Sequence, residues 1–245
     1  MKRIDELERE YVLDVLDGQF KTSQGAVYMT KFENAFSDKF KSKFSISHVN
    51  GTATMHSALE ASGVGCGDEV IVPPLTMSAT SLAVLHANAT PIFADIDIDT
   101  FVIDAKSIEE KITERTKAII TVALYGLSPD MDPIMDIANK YNLVVIEDNA
   151  EAFLSYYKGR LAGTLGHAAS FSFQSSKHLS AGEGGIITTN DEQLAIRIRK
   201  ASGLGYKNIG AKKARISKSE IQHPSFERHD FIGWNYRMSE LVKAL

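Results

Sequence analysis

Short apolar runs recur along the chain, separated by stretches whose apolar residues fall at helical spacing. FSISHVN, EVIVPP, TPIFADI, AIITVALYG, LVVIEDNA, AASFSFQ and GGIITTN predict strands. Between them, TATMHSALEASG, ATSLAVLHAN, DAKSIEEKI, MDPIMDIANKY and DEQLAIRIRKAS predict helices. Strand–helix alternation at these lengths predicts an α/β fold, a mostly parallel sheet flanked by helices. No helix pattern separates the last two strands, so one strand there is free to run antiparallel. The final segment, GWNYRMSELVKAL, opens a helix pattern near Ser239 that stops after about two turns. A fragment of a longer protein is therefore expected.

Composition narrows the class. The 245 residues are 44% hydrophobic and 24% charged, as in a soluble globular protein. The formal net charge of -4 gives no global reason to expect nucleic-acid or membrane binding. Cys66 is the one cysteine, which excludes an internal disulfide and a cysteine-ligated zinc or iron–sulfur centre built from this chain alone. The N-terminal stretch is charged and amphipathic, without the apolar core of a signal peptide, and no run approaches membrane-spanning length. A cytoplasmic enzyme or binding protein is the expectation.

Three segments carry candidate chemistry. In NGTAT, residues 50–54, an apolar strand gives way to a helix pattern. Free N–H groups at a helix start favour a phosphate, Gly51 allows close approach and Thr52 offers a hydroxyl. A plain helix N-cap is the commoner explanation of this segment taken alone. In LVVIEDNAEAF, an apolar strand runs into Glu147 and Asp148, followed by Asn149 and Glu151. An acid at the end of a strand buried on both faces needs a partner, such as a protonated heteroaromatic nitrogen. An Asp capping the next loop is the alternative, and a metal reading ranks low because no histidine follows at ligand spacing. In SFSFQSSKHLSAGEGG, Lys177 follows an alternating strand. It is either a surface lysine at a strand exit or an amine held beside apolar groups for Schiff-base chemistry. Ser172 in the same strand could hydrogen-bond a phosphate.

A fourth segment, residues 197–218, carries eight Lys or Arg and no acid. A solvated loop is the ordinary reading of such a run, and a basic flap over a phosphorylated substrate is the sharper one.

The order of phosphate loop, strand-end acid and lysine resembles the sugar-nucleotide aminotransferase family (DegT/StrS type) of fold-type-I pyridoxal phosphate (PLP) enzymes. The resemblance runs from about residue 8 to the end, through NGTATMHSALEASGVGCGDEVIVPPLTMSAT, ADIDIDTFVID, VVIEDNAEAF, SFSFQSSKHLSAGEGGIITTND and GWNYRMSEL. It implies that residues 1–245 form a PLP-binding large domain, with the family's small C-terminal domain absent from this chain. It implies that Lys177 joins PLP as a Schiff base and that Asp148 pairs with the pyridine nitrogen. Thr52, Ala53 and Ser172 match phosphate-binding positions. Asn235 matches an asparagine that reaches the phosphate of a neighbouring subunit's PLP, implying a homodimer with shared active sites.

Three departures from the family's pattern stand out, the least of them Asn50, where Ser is commoner. Met77 stands where the family usually stacks an aromatic ring, and Glu151 stands where Gln or His is usual. The implied reaction carries an amino group, by resemblance from glutamate, to a keto-sugar, by resemblance nucleotide-linked. Dehydration, or aminobenzoate or aminocyclitol synthesis on the same scaffold, is the alternative. Dehydrating relatives replace the lysine by histidine, and this chain keeps it. A protein of this fold retained for binding or regulation is the other alternative.

Overall fold

The computed structural model describes residues 4–18, 20, 27–212, 222, 225 and 227–245. Seven strands form one sheet: β1 (Phe44–His48), β2 (Glu69–Val72), β3 (Thr90–Phe93), β4 (Thr116–Val122), β5 (Val144–Asp148), β8 (Ala168–Ser172) and β9 (Gly185–Thr189). Their order across the sheet is β1-β9-β8-β5-β4-β2-β3. The β3, β2, β4, β5 and β8 strands are parallel, while β9 runs antiparallel to both β8 and β1. That reversal follows from the missing crossover helix between β8 and β9. A small hairpin of β6 (Tyr156–Tyr157) and β7 (Arg160–Leu161) lies apart from the sheet.

Helices cover both faces, and the strand period of two decides which residues meet which helices. Val70, Ile120, Ile146 and Ile187 pack with α3 (Gly51–Ala61), α4 (Ser78–His86) and α7 (Glu192–Ser202). Their neighbours Ile71, Ile119 and Val145 pack on the opposite side with α5 (Ala105–Glu110) and α6 (Met131–Tyr141). On that side too, Phe171, Phe173 and Ile186 meet Phe36 and Phe40 of α2 (Val27–Phe40). Phe36 and Phe40 stack at 4.4 Å, and Phe40 lies 4.6 Å from Phe171. Each fully buried ring contributes roughly 1.5–3 kcal/mol.

The five helices expected from the sequence form within one or two residues of their patterns. Two more helices lie toward the N-terminus. The amphipathic N-terminal stretch is α1 (Glu6–Asp17), started by a capping box between Asp5 and Glu8, and α2 follows it. The pattern opening near Ser239 is a short α8 (Glu240–Lys243), capped by Ser239. Among the described residues no helix is long and apolar enough to cross a membrane.

Candidate active site

The strand period also sorts the polar residues. Along β8, Phe171 and Phe173 enter the aromatic cluster on α2, which turns Ser170 and Ser172 toward α3. Ser170 Oγ hydrogen-bonds Thr54 Oγ1 of α3, and Thr54 also donates to the Gly51 carbonyl at 2.6 Å. These bonds bring the first turn of α3 against the end of β8. The approach is close: a Cβ on Gly51 would lie 3.1 Å from Ser172 Cβ, and one on Gly185 only 2.5 Å from the Asn50 carbonyl carbon. Glycine at Gly185 is a packing requirement, while a side chain at Gly51 would press on Ser172.

Glu147 and Asp148 point to opposite faces of β5. Glu147 is enclosed by backbone amides, accepting from Gly163 at 2.8 Å and from Leu165 and Gly166 at 2.7 Å. It is occupied with holding the loop that leads into β8. Asp148 faces α3 and α4, where Thr80 Oγ1 donates to Oδ2 at 3.0 Å and the Ala150 N–H donates to Oδ1 at 3.2 Å. Burial pushes the Asp148 carboxyl above the ordinary aspartate range, against the opposing pull of those two donors and of the Lys177 charge.

A cavity of about 450 Å³ opens where these groups converge. The ends of β4, β5 and β8 supply Val122, Asp148 and Ser172, and the start of α3 supplies Gly51 and Thr52. Strand C-termini beside a helix N-terminus are the usual place for a ligand in an open α/β sheet. Lys177 reaches the cavity from the loop between β8 and β9. The strand itself ends at Ser172, so the lysine sits on a turn closed by its own N–H to Gln174 O at 2.9 Å, beyond the strand exit expected from the sequence. Its Nζ lies 3.2 Å from Glu151 Oε1. The lining residues include three carboxylates, Asp148, Glu151 and Glu183, and one ammonium, Lys177.

The remaining expected site residues divide. Met77 lines the cavity as the residue before α4 and is 65% exposed. Ala53 is buried, and its N–H already donates to the Asn50 side chain at 2.8 Å, as in an ordinary N-cap. Asn235 is exposed, away from this chain's own cavity lining, with its Oδ1 accepting from Arg237 Nε at 2.9 Å. Of the basic stretch, Arg197, Arg199 and Lys200 lie in α7, with Arg199 buried against Glu33, so that part is neither a solvated loop nor a flap. Residues 213–218 lie outside the described residues, and Lys212 places its ammonium 5.7 Å from the Phe44 ring.

Sequence reasoning passed over Thr76, Thr80 and Glu183. Thr80 gives its single proton to Asp148, so Thr76, 2.9 Å away, donates to Thr80 in a two-hydroxyl relay. The one signal was two threonines four apart at the opening of a helix.

A helix N-terminus beside a serine hydroxyl, a buried carboxylate and an amine in one cavity form a donor set that fits a phosphorylated, cationic heteroaromatic aldehyde. The description "DegT/DnrJ/EryC1/StrS aminotransferase family" matches residues 2–245. The chain belongs to that family. It is 43% identical to a GDP-perosamine synthase of Caulobacter vibrioides over 99% of this chain and 61% of the relative. The aminotransferase of Psychrobacter cryohalolentis superposes with a TM-score of 0.86 at 37% identity, covering 98% of this chain and 60% of the other. NtdA of Bacillus subtilis, whose structure holds the cofactor PMP, superposes at 0.82 with 32% identity over 99% of this chain and 52% of its own. The chain thus spans about three-fifths of the length of the curated relative. A similar solved structure, from Streptococcus pneumoniae, is likewise in the PMP form.

Proposed function

We propose that the protein is a PLP-dependent aminotransferase that moves an amino group from glutamate to a keto-sugar carried on a nucleotide. The observation that carries the reading is the convergence of Lys177, Asp148 and the first turn of α3 on one cavity. Similarity to a GDP-perosamine synthase along nearly the whole chain supports GDP as the nucleotide and an amino-sugar as the product. Residues 1–245 act in this reading as one cofactor-binding domain of a cytoplasmic homodimer. Asn235, exposed and outside this cavity's lining, would in this reading serve the partner's site.

When bound, PLP supplies a carbonyl that takes up the amino group and a ring that accepts the electrons of a carbanion. The Gly51–Thr52 end of α3 and the Ser172 hydroxyl would hold the phosphate, using the positive end of the helix dipole. Asp148, kept in place by Thr80 and Ala150, would hold a proton on the ring nitrogen. A cation beside its carboxylate offsets the burial that otherwise favours the neutral acid. The Lys177 amine would form the covalent link, then carry the proton that leaves the donor's α-carbon. Positioned proton transfer of this kind contributes on the order of 10²–10⁴-fold. Val122, Leu124 and Met77 line the apolar part of the cavity and reduce water around these groups.

The test supplies PLP, ¹⁵N-glutamate and a GDP-linked keto-sugar to the purified protein. Transfer of the label into a GDP-linked amino-sugar supports the reading. A product formed without nitrogen, or label left entirely in glutamate, rejects it.

A further inference from the structure

The carboxylate of Glu151 is held from two sides. Oε1 faces Lys177 Nζ at 3.2 Å, and Oε2 accepts the Tyr125 N–H at 3.2 Å. Tyr125 has a left-handed backbone, φ 51° and ψ 26°, and the residue is 88% exposed. A tyrosine in that region carries strain, and the bond to Glu151 is one return on it. The Lys177 and Glu151 side chains are 16% and 29% exposed, so their contact is partly shielded from water. Asp148 draws its hydrogen bonds from Thr80 and Ala150 instead, so the two acids have separate tasks.

We propose that Glu151 is a positioning residue for Lys177: it holds the lysine ammonium whenever that amine is free of the cofactor, and so favours the amine form, PMP, over PLP. This inference rests on the reading of the cavity as a PLP site. Joining Nζ to the aldehyde carbon forms a C=N bond and releases one water. The site then contains one nitrogen in place of an amine and an aldehyde oxygen. With PMP it contains two amines, and Lys177 is again a free ammonium. Glu151 is the carboxylate placed to receive it. An ordinary structural ion pair would support both cofactor forms alike, and that is where the two explanations separate.

The experiment measures dissociation constants for PLP and for PMP by equilibrium dialysis, in the parent protein, Glu151→Gln, Lys177→Ala and the double variant. A hydrogen bond to a charged group, discounted for partial exposure, corresponds to about tenfold in binding. The contact exists both in the cofactor-free protein and beside PMP, and is given up only when Nζ joins PLP. Glu151→Gln is therefore expected to tighten PLP by up to about tenfold and to change PMP by less than about threefold. In the Lys177→Ala background, Glu151→Gln is expected to change PLP binding by less than about twofold, because the group it holds is gone. An equal change in both constants overturns the proposal, as does an undiminished effect on PLP in the Lys177→Ala background. Should Glu151→Gln fail to fold, Glu151→Asp decides: its carboxylate stands one methylene farther from Nζ, so the preference is expected to shift toward PLP, and an unchanged PMP-to-PLP ratio overturns the role. A parent protein that takes up neither PLP nor PMP rejects the cofactor reading together with this inference. Uptake of both without discrimination by Glu151 rejects this inference alone.

Discussion

Thr80 Oγ1 donates a hydrogen bond to Asp148 Oδ2 at 3.0 Å, joining the first turn of α4 to the end of β5. That bond orients a carboxylate whose other oxygen is fixed by the Ala150 amide. Thr80→Val keeps the shape and removes the donor. A lost hydrogen bond to a charged group is worth about 1.5–3 kcal/mol. With the cofactor bound, kcat is expected to fall by about tenfold or more, with a smaller change in KM for the sugar. Steady-state kinetics of the variant check this, and an unchanged kcat argues that Ala150 alone orients Asp148.

Asp148 sets function against stability. Its folded-state carboxyl is pushed above the ordinary aspartate range by burial. Stability linked to the neutral form is fully present below the unfolded value and is lost as pH rises through the elevated folded one. At neutral pH, Asp148→Asn removes a buried charge and is expected to raise the Tm of the cofactor-free protein while lowering kcat sharply. For a chain of this size each kcal/mol corresponds to about 2–4 °C. The gain should shrink below the ordinary aspartate range, where the parent carboxyl is also neutral. Calorimetry across pH measures it; a Tm gain that persists undiminished in acid would contradict the cause given.

Away from the cavity, Arg199 of α7 and Glu33 of α2 form a buried pair at 2.7 Å. Glu33 also accepts from the Ser47 N–H and hydroxyl, each at 2.9 Å, which links both helices to β1. Removing one partner leaves the other buried and unpaired, at a cost of about 3–5 kcal/mol. Arg199→Met is therefore expected to destabilise strongly, and Arg199→Met with Glu33→Leu to recover a substantial part. Denaturant titration distinguishes these outcomes, and equal loss in the single and double variants would contradict the pairing argument.

How much of this was legible depended on whether the signal was local. The Ser-Phe alternation of residues 170–173 encoded two faces, and the structure turns the serines to α3 and the phenylalanines to α2. The apolar run ending in Glu147 and Asp148 marked a buried strand end, although not that the two acids part to opposite faces. Helix α2 could have been found from Phe32, Phe36 and Phe40, one turn apart. Thr80 could not, because its partner lies 68 positions away and its own segment is an ordinary helix start. The same holds for Glu33 and Arg199, 166 positions apart, whose charges look solvent-facing until the fold brings them together.

Lys177 as the amine that joins the cofactor is the centre of the account. Incubating the purified protein with PLP, reducing with borohydride and mapping peptides by mass spectrometry tests it most directly. The expected result is one phosphopyridoxyl group per chain, on the peptide carrying Lys177, with none on that site after Lys177→Ala. Stoichiometric label on a different lysine, or no label under saturating PLP, would contradict it.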